Sequence, residues 1–152
     1  MTVLIDTNVL LRVANVASPD HVTASDALVS LAQSDVELTL VPQVIYEFWA
    51  VATRPVAVNG LGMDAALAEG SVEQLLRRFR LLRDERGVFA HWRELVVAHD
   101  VKGKNAHDDR LVAAMQRPGL TRLLTFNKPD FARFAAIEVF TPAEILAGRL
   151  PA

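Results

Sequence analysis

Short apolar runs alternate with stretches of helical periodicity along the chain, beginning at its amino terminus. The run Val3-Leu4-Ile5 is apolar and rich in β-branched residues, and it ends at the polar triplet Asp6-Thr7-Asn8. A helical pattern begins directly afterwards with Val9, Leu10 and Val13. A strand that leads straight into a helix is typical of the first unit of a parallel α/β sheet.

The same alternation continues to the carboxyl terminus. Strands are predicted at residues 36–41, 88–90, 120–126 and 137–140. Helices are predicted over residues 20–31, 43–53, 64–83 with an interruption at Gly70-Ser71, 92–99 and 107–116, with a small one after Pro142. Strands that alternate with helices favour an α/β class with a mainly parallel sheet.

Length and composition indicate one soluble domain. At 152 residues with 51% hydrophobic content, the chain is long enough for a single compact domain, expected over residues 1–152. The absence of cysteine excludes disulfides and thiolate zinc sites. The amino terminus lacks the basic and apolar regions of a secretory signal, and no apolar stretch approaches the roughly 20 residues of a membrane span. We therefore expect a cytoplasmic protein.

The net charge of −2 hides an asymmetry between the two halves of the chain. Residues 1–76 hold nine acids and only Arg12 and Arg54, a balance of −7. Residues 77–152 hold fourteen lysines and arginines against nine acids, a balance of +5. Such a basic surface steers a phosphate-rich partner, although for residues 77–86 a solvated helix face with i,i+4 ion pairs is an equal alternative.

Four acidic side chains occupy positions that are costly for a carboxylate. Each stands where a hydrophobic segment ends or on the apolar side of one: Asp6, Glu47, Asp108 and Asp130. A buried, unpaired carboxylate costs several kcal/mol, and converging carboxylates repel each other unless a cation lies among them. Oxygen ligands without cysteine select hard ions such as Mg2+ or Mn2+. The pattern therefore favours a divalent metal site.

Each acid also has an ordinary structural explanation. Asp6 follows its strand immediately and is placed to cap the next helix. Glu47 falls on or beside the apolar stripe of its helix, where a neutral or ion-paired core glutamate is the alternative. For Asp108 the alternative is again N-capping. One shared site explains all the positions at once, whereas the separate explanations must all hold together, so the site is favoured.

Asp108 and Asp109 differ in their rotation about the predicted helix. Spacings of +3, +4 and +7 put Asp108 in line with the apolar face formed by Leu111, Val112 and Met115. Asp109 is rotated by about 100° and is expected to face solvent or a flank of the helix. Asp108 is therefore the better candidate of the two.

Four blocks of the sequence follow each other in a recognisable order and spacing. They are Leu4-Ile5-Asp6-Thr7-Asn8-Val9-Leu10-Leu11, Glu47 within a helix, His107-Asp108-Asp109-Arg110-Leu111-Val112-Ala113-Ala114, and Leu124-Thr125-Phe126-Asn127-Lys128-Pro129-Asp130-Phe131. Together they resemble PIN-domain proteins, and among these the VapC-type toxins of prokaryotic type II toxin–antitoxin pairs. The opening block alone is moderately specific, whereas the similarity as a whole extends from residue 2 to about residue 146.

The resemblance implies a three-layer α/β/α sandwich with a mainly parallel central sheet, and a ribonuclease activity that depends on Mg2+ or Mn2+. Asp6, Glu47 and Asp108 match the three principal acids of the family. The fourth acid of the family usually follows the strand directly, where this chain has Asn127, while Asp130 comes three residues later. Whether Asp130 completes the catalytic set or caps the next helical turn stays open.

The hypothesis for the chemistry is that Asp6 and Asp108 bind the metal ion directly while Glu47 orients or deprotonates the attacking water. Thr7, Asn8 and Thr125 stand beside the acids and are expected to hold the carboxylates in orientation, with capping of the adjoining helix starts and strand ends as the favoured alternative for each. Asn127 is a candidate to bond a metal-bound water or a backbone group. His107 is a candidate to assist proton transfer, with capping of its helix as the favoured alternative. Basic residues close to Asp108 in sequence are expected to contact RNA phosphates: Lys102, Lys104 and Arg110.

The resemblance also implies an RNA substrate, a homodimer and a cognate antitoxin whose carboxy-terminal segment blocks the acidic pocket. Tyr46, Phe48 and Trp49 lie close to Glu47 and are candidates for the groove that receives this segment, with ordinary core packing as the alternative, favoured for Phe48. Two other functions stay open. One is a Mg2+-dependent domain that forms an aspartyl phosphate on Asp6; the other is a catalytically weak domain that only binds RNA or an antitoxin.

Overall fold

The computed structural model describes residues 1–152 and contains one five-stranded sheet in which every pair of neighbours is parallel. The strands are β1 (Thr2–Ile5), β2 (Glu37–Leu40), β3 (Arg80–Leu81), β4 (Arg122–Leu124) and β5 (Glu138–Phe140). Their order across the sheet is β3-β2-β1-β4-β5. The α/β class is confirmed, and the sheet is wholly rather than mainly parallel.

Seven α-helices connect and flank the strands. They are α1 (Thr7–Ala14), α2 (His21–Ala32), α3 (Pro42–Ala52), α4 (Ala65–Arg78), α5 (Val88–Ala98), α6 (Asn105–Gln116) and α7 (Pro142–Leu146), with short 3-10 helices at Val56–Val58 and Lys128–Phe131. None of the helices has both the length and the apolar character that crossing a lipid bilayer requires.

The centre of the sheet is buried on both faces. Val3, Leu4 and Ile5 of β1 are each at most 1% exposed, although successive side chains of a strand point to opposite faces. Helices therefore cover both sides of the sheet, as the continuous apolar character of its parallel strands requires. This arrangement is the three-layer α/β/α sandwich that the sequence predicts.

The strand order places a natural binding crevice beside β1. The chain starts in the middle of the sheet, proceeds outward through β2 and β3, and then returns to add β4 and β5 on the other side. The order reverses between β1 and β4, which pair through Leu4 with Leu123 and Ile5 with Leu124. Ligands of open parallel sheets bind outside the carboxyl ends of the strands at this point, and Asp6 lies directly behind β1.

Two predicted elements between residues 80 and 90 are wrong. Residues 88–90 form the first turn of α5 instead of a strand, and the helix predicted to about Arg83 ends at Arg78. The third strand is Arg80–Leu81, an edge strand whose two residues are exposed, so no apolar run announces it. Its Arg80 guanidinium forms an ion pair with Glu37 of β2 at 3.1 Å. Gly70 does not interrupt α4.

Helix α7 is tied to the loop that follows β4. The Thr141 side chain caps α7 in a capping box with Glu144, and Lys128 Nζ lies 2.6 Å from Glu144 Oε1. Burial raises the pKa of the Glu144 carboxyl, but hydrogen bonds from Lys128 and from the Thr141 backbone N–H, together with the charges of Lys128 and Arg149, lower it to about 2. The carboxylate therefore contributes stability above its ordinary pKa of 4.5, and this contribution is lost as the pH falls toward 2.

Replacing Glu144→Gln is expected to lower the free energy of unfolding at pH 7 by about 1 kcal/mol, because the Lys128 pair and half of the capping box are weakened. Urea titrations at pH 7 and pH 3 measure the effect. The difference from wild type should shrink at pH 3, because the unfolded chain binds a proton at this carboxyl below pH 4.5 while the folded protein does so only near pH 2. Glu69→Gln, at an exposed position of α4 that forms no ion pair, is the matched control and should change neither value. A loss that is equal at both pH values would contradict the assignment.

Candidate functional site

Asp6 is held at the end of β1 by three hydrogen bonds to its carboxylate. Oδ1 accepts the Thr7 backbone N–H at 2.7 Å, and Oδ2 accepts the Thr125 hydroxyl at 2.7 Å and the Asn8 amide at 3.0 Å. The side chain is 8% exposed and lines a pocket at the carboxyl edge of the sheet. Asp6 thus caps α1 and faces the pocket at once, so the two explanations for it are compatible.

Asn8 and Thr125 form a hydrogen-bonded bridge between the segments that follow β1 and β4. The Asn8 amide donates to Thr125 Oγ1 at 3.0 Å, and Asn8 Oδ1 accepts the Phe126 backbone N–H at 3.0 Å. Thr125 Oγ1 also accepts the Asn127 backbone N–H at 3.1 Å. Residues more than a hundred positions apart in sequence therefore fix the orientation of one carboxylate.

Glu47 reaches the same pocket from α3. Its Oε2 accepts the Thr7 hydroxyl at 2.9 Å, and its Oε1 accepts the Gln43 side-chain amide at 2.8 Å. The Gln43 amide also donates to the His107 carbonyl at 2.9 Å, while its own oxygen accepts Arg110 Nη1 at 2.9 Å. Gln43 joins α3 to the start of α6, and in sequence its only signal is the i,i+4 spacing to Glu47.

Asp108 enters the pocket from the first turns of α6. The helix begins at Asn105, so Asp108 is not its N-cap, and none of the side-chain hydrogen bonds ends on its carboxylate. Asp6, Glu47 and Asp108 line one pocket of about 690 Å³, together with Thr7, Asn8 and Asn127. The three acids that were singled out from separate parts of the sequence therefore share one cavity.

Two residues, Asn127 and Asp130, are candidates for the fourth acidic position of the family pattern. Asn127 is exposed and lines the pocket, whereas Asp130 is exposed, does not line it, and lies close enough to Asp108 to affect its pKa. The 3-10 helix Lys128–Phe131 begins after Asn127, and the Asp130 carboxylate caps nothing there. Asp130 therefore stands at the margin of the pocket on the Asp108 side.

Burial, and after it the neighbouring negative charges, raise the pKa of two acids of this pocket. The pKa of Asp6 is raised to about 6, first by burial and then by the charges of Glu47 and Asp108, against the hydrogen bonds from Thr125 and Thr7. The pKa of Asp108 is also raised to about 6, first by burial and then by Asp130 and Glu47, with Arg133 acting in the opposite direction. A cation in the pocket would relieve this repulsion.

The donor set fits a hard divalent ion held by few protein ligands. All candidate ligands are carboxylate oxygens, and Mg2+ is commonly bound through one or two carboxylates with water completing its shell. No group of three or more acidic or histidine side chains has the spacing of a metal centre. Asp6 and Glu47 each accept hydrogen bonds from neighbouring side chains, whereas Asp108 accepts none.

Asp109 lies in the protein interior, contrary to the prediction that it faces solvent or a flank. It is 0% exposed, and its Oδ1 is ion-paired with the Arg133 guanidinium. Arg133 also donates to the carbonyls of Asn105, at 3.1 Å, and Asp130, at 2.5 Å. The second Asp109 oxygen has no hydrogen-bond partner, and His99 Nδ1 lies 3.7 Å from it. The chain after Phe131 supplies the charged partner, which the periodicity of α6 alone does not reveal.

The remaining candidate residues differ in where they lie. Arg110 lines the pocket and pairs with Asp84 at 3.2 Å, whereas Lys102 pairs with Asp100 in an exposed loop. Lys104 is exposed at the start of α6, and His107 is exposed and lines the pocket without capping the helix.

The three aromatic residues of α3 differ in how far they are exposed. Tyr46 is 66% exposed at the pocket, Phe48 is 1% exposed in the core, and Trp49 is partly buried against the core. The core explanation for Phe48 is therefore confirmed. Of the three, Tyr46 alone is fully available to a partner at the pocket.

Comparison with known proteins gives a family and a fold. A sequence model described as the PIN domain matches residues 3–137. No curated protein matches the chain significantly. Similar solved structures include VapBC2 from Rickettsia felis bound to a DNA fragment from its promoter, at 14% identity and a TM-score of 0.71, covering 93% of this chain and 98% of that one.

Two further structures share the fold. VapC20 from Mycobacterium tuberculosis, described as a toxin that cleaves the sarcin-ricin loop, is 19% identical with a TM-score of 0.66, covering 87% of this chain and 95% of that one. FitAcB from Neisseria gonorrhoeae is 22% identical with a TM-score of 0.64, covering 93% and 98%. At these identities the similarity establishes the fold, and the matched family model covers nearly the whole chain.

Arg133→Met is expected to lower the free energy of unfolding by about 3 to 5 kcal/mol, because it leaves the buried Asp109 charge without its partner. Thermal and urea unfolding measure this loss. The double variant Asp109→Asn with Arg133→Met should recover much of it, since the unpaired charge is then removed. A single variant as stable as wild type would show that the pair does not compensate the burial of Asp109.

Asp108→Asn is expected to stabilise the metal-free protein at neutral pH by about 1 kcal/mol, because it removes a repelled, partly desolvated charge. The folded protein keeps the Asp108 proton up to about pH 6, whereas the unfolded chain releases it near pH 3.8. The wild-type protein therefore loses stability as the pH rises from 3.8 to about 6. Melting temperatures in chelator should therefore coincide near pH 4, diverge as the pH rises to about 6, and keep a constant difference above pH 7.

The matched control for this pH series is Asp26→Asn, at an exposed position of α2 outside the pocket. It should follow wild type at every pH. Stabilisation by Asp108→Asn that is constant from pH 4 to pH 8 would contradict a charge effect of the Asp108 carboxyl.

Proposed function

The chain belongs to the PIN-domain family, and from that membership we propose that it is a divalent-metal-dependent endoribonuclease, the toxin of a toxin–antitoxin pair. The observation that carries the proposal is the meeting of Asp6, Glu47 and Asp108, from three separate elements, in one pocket at the carboxyl edge of the sheet. Their mutual repulsion is the expected signature of a site that binds a cation.

In this proposal Asp6 and Asp108 hold Mg2+ or Mn2+. Such an ion supplies charge neutralisation at the phosphate oxygens and a lowered pKa for water. Glu47 is the group that orients the attacking water and takes its proton, since both of its oxygens are already directed by Thr7 and Gln43. Proton transfer of this kind requires a carboxylate whose position is fixed, and the two hydrogen bonds supply that.

The polar residues around Asp6 hold its carboxylate in a fixed orientation. Thr125 and Asn8 both donate to Asp6 Oδ2, so its Oδ1 and the remaining lone pairs determine where a cation is bound. Asn127 lines the pocket with an amide that has no charge, and Asp130 adds charge from the margin near Asp108. We assign both to support of the site.

Partners are proposed by extension from similar proteins. One similar structure is described as a toxin that cleaves the sarcin-ricin loop, and another as a toxin–antitoxin complex from Klebsiella pneumoniae. We propose RNA as the substrate of this chain, a cognate antitoxin as its inhibitor, a homodimer as its assembly and the cytoplasm as its location. The exposed Tyr46 at the rim of the pocket is the aromatic residue placed to contact an antitoxin segment.

A second candidate is a catalytically weak domain that binds RNA or an antitoxin without cleavage. Two observations favour it: Asn127 replaces an acid at the pocket, and no three acids have the spacing of a metal centre. A domain that forms an aspartyl phosphate is disfavoured, because the second acid required two residues after Asp6 is Asn8, which donates to Asp6.

The test is incubation of purified protein with single-stranded RNA and Mn2+, with and without chelator. Asp6→Asn, Asp108→Asn and Glu47→Gln should each lower the cleavage rate by at least about 100-fold, because each removes a metal ligand or the group that accepts the proton. Calorimetric titration with Mn2+ separates the roles. Asp6→Asn and Asp108→Asn should weaken binding of the ion, whereas Glu47→Gln should largely retain it.

Asp26→Asn is again the matched control and should cleave RNA at the wild-type rate. Chelator-resistant cleavage, or wild-type rates in both Asp6→Asn and Asp108→Asn, would defeat the nuclease proposal. RNA binding without cleavage in any metal would favour the second candidate.

A further inference from the structure

A second cavity adjoins the acidic pocket and is not used by the proposed chemistry. It has a volume of about 440 Å³ and lies between the connection from β3 to α5, the first turns of α5 and the start of α6. His107 and Arg110 line both cavities, so the two adjoin at the start of α6. The volume falls within the range of about 300 to 1,000 Å³ that is usual for small-ligand sites.

The cavity presents an aromatic platform. Phe89, in the first turn of α5, is 65% exposed and stacks on Trp92 with ring centroids 5.9 Å apart and an interplanar angle of 27°. Trp92 is fixed in turn, because its indole N–H donates to the Ala106 carbonyl at 2.9 Å. Phe89 is thus a mostly exposed ring on a fixed support, and the core of the protein does not require it.

Cationic groups surround this platform. Arg86 is exposed and forms no ion pair, and the Arg93 guanidinium lies over the Phe89 ring, 5.9 Å from its centre, in a long cation–π contact. Two acids also line the cavity, but Asp84 is paired with Arg110 at 3.2 Å and Glu85 with Arg117 at 3.5 Å. The unpaired charge at the cavity is therefore positive.

An exposed aromatic face beside free guanidinium groups matches the chemistry of single-stranded nucleic acid. Bases that are free of a duplex stack on aromatic rings, and the phosphates between them pair with arginine. A base paired within a duplex does not offer its face in this way. A peptide without acidic side chains would satisfy the aromatic face but would leave Arg86 without an anionic partner.

We propose that this cavity is a nucleotide-binding subsite. It takes one unpaired base of single-stranded RNA on Phe89 and an adjoining phosphate on Arg86, next to the phosphodiester that faces the acids. The inference rests on the proposed ribonuclease function for the position of that phosphodiester. It gives the enzyme a preference for unpaired RNA segments over duplex RNA.

The test measures binding without cleavage. A short fluorescein-labelled single-stranded RNA is titrated with the full chain in chelator, and affinity is read from fluorescence anisotropy. Phe89→Ala should weaken binding at least about fivefold, since loss of one base stack costs about 1 kcal/mol or more. Phe89→Tyr keeps an aromatic ring at this position and should bind the RNA with wild-type affinity. Arg86→Ala should lower the salt dependence of binding by about 0.7 in the log–log slope.

The fluorescence of Trp92 provides a second measurement, which a non-specific loss of RNA affinity would not change at saturating RNA. The chain has two tryptophans, so Trp49→Phe leaves Trp92 as the single indole fluorophore. RNA should change Trp92 fluorescence in this background, and the added change Phe89→Ala should reduce that signal at saturating RNA. Val97→Ala is the matched control, because Val97 is 80% exposed on the same helix and does not line the cavity.

The outcomes separate the subsite from the catalytic proposal. If wild type cleaves RNA but Phe89→Ala binds it equally well, the subsite is overturned and the nuclease proposal stands. If RNA binds through Phe89 but no metal supports cleavage, the subsite stands and the nuclease proposal falls. If Phe89→Ala instead dissociates a dimer in light scattering with unchanged RNA affinity, the face is an interface between copies of the chain, and the subsite is overturned.

Discussion

The structure of the site depends on the burial of one carboxylate. Asp6 is 8% exposed at the point where the strand order of the sheet reverses, and removal from water is the largest cause of its raised pKa. Three donors from Thr7, Asn8 and Thr125 offset part of that cost and also fix its geometry. The parallel pairing of β1 with β4 brings these groups together, so the same sheet that creates the desolvated position also supplies the hydrogen bonds that make it tolerable.

Helix α6 distributes three consecutive charged residues to three different surroundings. Asp108 faces the acidic pocket, Asp109 is buried against Arg133, and Arg110 extends to Gln43 and Asp84. Successive side chains on a helix diverge by about 100°, so one turn of helix serves the pocket, the interior and the second cavity together.

Much of this was predictable from the sequence because it depends on local pattern. Apolar runs that end in polar residues identify β1, β2, β4 and β5, and acids on the apolar side of helices identify Glu47 and Asp108. The rest depends on partners that are remote in the chain. The strand Arg80–Leu81 is exposed and forms only through its pairing with β2, and Asp109 is buried only because Arg133 compensates it. The position of the Gln43 side chain depends on its hydrogen bond to the His107 carbonyl in α6, and no periodicity within α3 indicates that contact. The catalytic roles of the acids remain predictions.

The contacts of Gln43 make the two halves of the site mechanically interdependent. One side-chain amide touches the glutamate of α3, the backbone of α6 and the guanidinium of Arg110. Because this one amide spans the two helices, any shift of α3 relative to α6 also changes the position of Glu47 relative to the start of α6. The relative placement of the acids is therefore coupled to the packing of these two helices.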